Sequence, residues 1–163
     1  MNTAATRTRS ISASARARKV QPGYRILVSP PARAGRSAHS FLMDAAGEHM
    51  SSFSFDAPLQ VFKTARIVGG RDAQSERAAR RRLKRAGADL IIWGERVGRG
   101  EEGLNIFTLS RAGGLTPDEA VLEHFSLPSA SKHRGDDVRK DAAYLLAKRL
   151  QPSLGRPSDF RAD

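Results

Sequence analysis

Ala88-Asp-Leu-Ile-Ile-Trp-Gly-Glu-Arg-Val97 is the stretch whose reading decides the fold. Leu90, Ile91, Ile92 and Trp93 stand consecutively, the pattern of a strand covered on both faces. From Gly94 the run turns to Glu95, Arg96 and Val97, so the strand emerges from its cover at that end. A strand buried on both sides belongs to a sheet with a layer against each face, and the flanking segments must supply those layers.

Upstream, Asp72 stands where a helix N-cap belongs, and Gly87 stands where a C-cap belongs. Between them Ala78, Ala79, Leu83 and Ala86 form a narrow apolar stripe. Arg77, Arg80, Arg81, Arg82, Lys84 and Arg85 crowd around it. Basic residues in a last turn suit the helix dipole, but six cations in nine residues exceed what capping requires. Residues 59–68 read as a strand centred on Val61 and Phe62 and closed by Gly69-Gly70. Phe41, Leu42, Ala45, Ala46, His49 and Phe53 recur at helical spacing, giving a helix near 40–52 that Gly47 weakens. Tyr24-Arg-Ile-Leu-Val-Ser29 is the first strand, stopped by Pro30-Pro31.

Downstream, 98–103 is turn material and 104–110 a second apolar strand, so the deciding stretch and its successor form a hairpin. A further strand at 122–127 follows from the alternation through His124, Phe125 and Ser126 and the stop at Pro128. Asp136 then caps a last helix with Val138, Ala142, Leu145, Leu146 and Leu150 on one face, ending before Pro152. The order β-α-β-α-β-β-β-α predicts an α/β fold. Its mixed sheet has four to five strands, parallel where helices intervene and antiparallel at the hairpin, with about three helices.

A chain of 163 residues fits one such domain, placed at 23–151. Residues 1–22 hold almost no large apolar groups and read as a disordered basic arm, and 152–163 as a flexible tail. Although the arm is Arg- and Ser-rich, it lacks the apolar face of an organellar transit peptide. Nothing approaches the ~18–20 apolar residues of a membrane span. No secretory apolar core is present either, which points to the cytoplasm. With no cysteine, disulfides, thiol catalysis and Cys-based zinc sites are excluded.

The net charge of +11 is unevenly spread. Eight cations precede the first acidic residue, Asp44; from there on 20 basic side chains face 17 acidic ones, a net of +3. The excess of basic charge therefore lies mainly in the first 43 residues, five of the eight cations being in the arm. Arginine outnumbers lysine 22 to 6, an excess that GC-rich coding also produces.

Gly98-Arg-Gly-Glu-Glu-Gly103 matches the dinucleotide fingerprint in letters, but it lies between two strands and carries two carboxylates that repel an anion. Gly69-Gly70-Arg71-Asp72 joins a strand to a helix start, where free N–H groups attract phosphate unless Asp72 takes them first. His39, His49, His124 and His133 show no ligand spacing, and no nucleophile elbow, P-loop or carboxylate pair is present. No catalytic, cofactor or metal site is expected.

Gly87-Ala-Asp-Leu-Ile-Ile-Trp-Gly-Glu95 follows an alanine- and arginine-rich helix and precedes a hairpin strand, a strand ending in Leu127-Pro128 and a final helix. In this it resembles a small α/β domain near the start of certain bacterial tetratricopeptide-repeat proteins. The strand–helix order is also similar to that of the N-terminal domain of the periplasmic TolB family. The resemblance spans 24–150. It implies a non-catalytic module that accompanies a repeat array or membrane assembly, with no catalytic residues to carry over. No repeat array, anchor or export signal accompanies it in this sequence, so a stand-alone or shortened relative is expected rather than a periplasmic one.

The expectation is a non-enzymatic binding or scaffold module that engages a protein partner through its sheet edge or basic helix. The alternative is a nucleic-acid-associated protein that uses the arm and the helix at 77–85. The candidate anion or nucleic-acid contacts are Arg71, Arg77, Arg80, Arg81, Arg82, Lys84 and Arg85. A phosphate or small-molecule site at 69–72 is a third reading.

Overall fold

Alternate residues of a strand point to opposite faces, so a run of large apolar residues commits both faces to burial. The computed structural model describes residues 24–33, 36–50, 59–67, 70, 72–97, 103–128 and 136–154. Among these the chain forms β1 (Tyr24–Val28), α1 (Arg36–Asp44), β2 (Leu59–Lys63), α2 (Ala73–Ala86), β3 (Leu90–Val97), β4 (Gly103–Ser110), β5 (Val121–Pro128) and α3 (Asp136–Leu154). The strands make one mixed sheet in the order β2-β1-β3-β4-β5. β1 pairs parallel with β2 and with β3, and β3, β4 and β5 run antiparallel in turn. This is the α/β fold and element order expected from the sequence.

β3 sits in the middle, and its side chains divide as predicted. Leu90 and Ile92 join Ile26, Val28, Leu104 and Ile106 under α1 and α3, while Ile91 and Trp93 join Leu27, Phe107 and Leu109 under α2. Trp93 is fully buried. Its Nε1–H donates to the Gly70 carbonyl at 3.1 Å, meeting the requirement that a buried indole find an acceptor. The indole stacks on Phe107 at 5.7 Å, and Phe107 on His124 at 4.9 Å, a ladder of rings across three strands. Beside it a Cβ on Gly94 would lie 2.6 Å from the Asn105 carbonyl oxygen, so only glycine fits where β3 and β4 converge.

Several boundaries differ from expectation, each for a physical reason. α1 begins at Arg36 and passes through a π-helical turn at Ala45–His49. Its early start escapes a hydropathy reading because buried His39 occupies a core-facing position one turn before Leu42. β2 stops at Lys63, well short of 68. The Ser29 hydroxyl accepts the Ile67 N–H at 2.9 Å and draws the chain off the sheet, leaving Ile67 in the second core. α3 does not end before Pro152 but carries it inside, because Ser153 and Leu154 are buried and Ser110 Oγ donates to the Ser153 carbonyl. The inner face of α3 is Ala143, Leu146, Ala147, Leu150 and Leu154, whereas Leu145 points outward at 61% exposure. The expected arm at 1–22, the turn at 98–102 and Arg71 lie outside the described residues.

Two outcomes follow from this packing. Trp93→Phe removes the donor to a buried carbonyl and leaves a void beside Phe107, so it should lower unfolding free energy by about 2–4 kcal/mol in urea titration. His39 is buried, with Nε2 lacking a hydrogen-bond partner among the described residues. Burial first, then Lys63 and Arg66, hold its pKa below the ordinary 6.5, against a raising hydrogen bond to Val28. The unfolded chain therefore takes up that proton before the folded one, and stability falls as the pH drops below 6.5. His39→Gln should flatten this part of the stability–pH curve, read from urea midpoints on either side of that value.

Candidate functional site

The basic helix is set by its two ends. Asp72 Oδ1 accepts the Ser75 N–H at 2.8 Å and its Oδ2 accepts the Ser75 hydroxyl at 2.7 Å. These two donors hold the Asp72 carboxyl below the usual carboxylate range. At the other end Gly87 adopts φ 58°, and its N–H reaches the Leu83 and Lys84 carbonyls, a cap that a Cβ would strain.

Within α2 the buried residues are Ser75, Ala79 and Leu83, four apart. Ala86, expected in the stripe, is exposed and Ala78 only half-buried, so a serine takes part in the core-facing line. With about 100° per residue, this line fixes where every cation points. Arg80 and Arg82 fall on the two flanks of the buried face. Arg77, Arg81, Lys84 and Arg85 fall opposite it, within about 100° of arc and about 12 Å of axis.

The flanking pair is absorbed by the fold. Arg80 Nη1 donates to the carbonyls of Pro117, Asp118 and Ala120 at 2.9, 2.9 and 3.2 Å, and its Nη2 meets Glu76 Oε1 at 2.8 Å. On the other flank Arg82 Nη1 donates to the Ala65 carbonyl and its Nη2 to that of Arg66. Burial, then Arg81 and Arg85, push the Arg82 pKa down. The two arginines lash α2 to the segments on either side of it, one to the β4–β5 connection and one to the chain leaving β2.

The outward four are all exposed. Arg77 Nε bonds back to the Ala73 carbonyl, and none of the four forms an ion pair among the described residues. Glu76 is the sole acidic residue of α2, and Arg80 holds it. Arg25 Nη1, from β1, reaches the Ala86 carbonyl at 3.3 Å at the C-terminal end of α2. Thus the candidate residues separate by angle into structural and free cations, a division that a count of arginines does not reveal.

The strand order changes direction between β1 and β3, where open α/β sheets commonly leave a ligand crevice. Here main chain bridges it. Ala32 pairs with Glu95, its N–H donates to the Gly94 carbonyl at 2.8 Å, and its carbonyl accepts the Arg96 N–H at 3.0 Å. The start of α2, the other anion candidate, is taken by the Asp72 carboxylate. Among the described residues no group of three or more His, Cys, Asp or Glu could hold a metal ion, and no helix is long and apolar enough to cross a membrane.

No family model and no curated protein matches the chain. Among solved structures it is similar to two of the PelC dodecamer from Paraburkholderia phytofirmans. Identity is 14% and the TM-score 0.44 in both, over 82% of this chain and 90% or 88% of that one.

The division of the arginines is open to direct measurement. Arg80→Ala strands three loop carbonyls and should cost about 1–3 kcal/mol of unfolding free energy. Alanine at Arg77, Arg81, Lys84 or Arg85 should stay within about 0.5 kcal/mol of the parent in the same urea titrations.

Proposed function

We propose that this chain is a cytoplasmic, non-enzymatic binding module whose protein partner docks an acidic surface on the outward face of α2. The observation that carries the reading is the set Arg77, Arg81, Lys84 and Arg85, exposed on one face and without an ion-pair partner among the described residues. Free cations on a rigid helix steer an oppositely charged partner and fix its register. The helix is rigid here because both flanks are tied down. The resemblance to a non-catalytic domain supports the same class of role.

Nucleic acid is the second reading, favoured by the arginine content of the face. Its footprint is small for that task, since duplex binders that depend on charge neutralise about 6–10 phosphates. The face also carries no aromatic platform for bases, its remaining outward residue being Gln74.

The test is a salt series of binding to poly-L-glutamate, duplex DNA and single-stranded DNA, with and without residues 1–22. The quadruple charge reversal of Arg77, Arg81, Lys84 and Arg85 serves as the variant. Poly-L-glutamate binding should survive removal of the arm and disappear on reversal, while DNA binding should fade with the arm. DNA binding that persists near physiological salt without the arm, and is lost on reversal, would overturn the protein-partner reading in favour of nucleic acid.

A further inference from the structure

The two edges of the sheet are guarded differently. β2 exposes Phe62 but is five residues long and closes on Lys63, two of the devices by which edge strands avoid pairing. β5 has eight residues, and its register with β4 is unbroken from Gly103↔Pro128 to Ser110↔Val121, so no bulge twists it away. It contains no lysine or arginine, and its proline is the last residue. Its one charged residue, Glu123, accepts a hydrogen bond from Ser153 Oγ at 3.3 Å. Val121 is 49% exposed, and Glu123, His124 and Ser126 are exposed as well, so side chains along the whole edge face solvent.

We propose that β5 pairs antiparallel with β5 of a second copy of this chain, about a two-fold axis through His124, joining two sheets into one. Self-pairing of an antiparallel strand satisfies both edges at once and closes the assembly. Residues directly opposite share a face, which limits the register to two-folds centred on a residue. The two-fold at His124 sets exposed Val121 against Leu127 of the second copy, keeps the two Glu123 carboxylates apart, and carries the Trp93–Phe107–His124 ladder across the junction. Charge selects the same edge. Each copy carries +11, and β5 is the edge where two copies meet without cation facing cation. A strand from an unrelated protein has no such built-in register.

Sedimentation velocity on the full chain, from micromolar to millimolar concentration and across a salt series, tests this. A dimer is expected, and it should strengthen as salt screens the repulsion between copies. Binding of polyanions by α2 weakens under the same change, so the two proposals fail separately. Val121→Lys and Ser126→Lys, each checked for a parental urea midpoint, should both give monomers. Because the chain has no cysteine, His124→Cys places a unique thiol at the axis and should form a disulfide-linked dimer on mild oxidation. Arg149→Cys, exposed on α3, should not. A monomer at every concentration, a dimer that survives both lysines, or cross-linking of Arg149→Cys as fast as His124→Cys overturns the proposal.

Discussion

Burial of β3 on both faces is the constraint to which the rest of the structure answers. One face is served by two helices, with α1 and α3 closing over Ile26, Val28, Leu90 and Ile92. The other has a single helix whose buried line is thin, a serine, an alanine and a leucine. So slight an apolar contact would hold α2 weakly. Arginine side chains supply what the stripe lacks: their stems lie along the sheet-facing flanks while the guanidinium groups bind carbonyls of adjacent segments. The charge density of the helix is thus partly a packing solution, and the four outward cations are the surplus.

This explains how far the sequence could be read. The consecutive apolar residues of β3, the Asp72 and Gly87 caps, and the turn prolines are local signals, and the element order follows from them. The errors are where tertiary contacts override hydropathy. His39 and Ser75 sit on buried faces that hydropathy counts as polar, whereas Leu145 sits on an exposed face that it counts as apolar. Pro152 reads as a helix stop, yet Ser153 and Leu154 are anchored in the core and hold the last turn in place.

The candidate site was legible as a region but not as a set of roles. Six cations in nine residues are plain in the sequence; which of them are committed to carbonyls depends, for Arg80, on a loop 37 to 40 residues further along the chain and, for Arg82, on a segment 16 to 17 residues before it. The helical wheel holds part of the answer, since Ala79 and Leu83 already mark the buried line and place Arg80 and Arg82 beside it. The open edge of β5 was harder to see. Sequence gives the alternation of a strand but not its place in the sheet order, and that place alone leaves its outer side unpaired among the described residues.

Arg80 has a mechanical consequence. One guanidinium joins the crossover helix to the connection between β4 and β5, through carbonyls 37 to 40 residues away in sequence. Local opening in proteins proceeds in cooperative units defined by such shared contacts. Through Arg80 the opening of the helix is coupled to that of the β4–β5 connection, so anything that clamped the cationic face would also stiffen the segment leading into β5, at the far edge of the sheet.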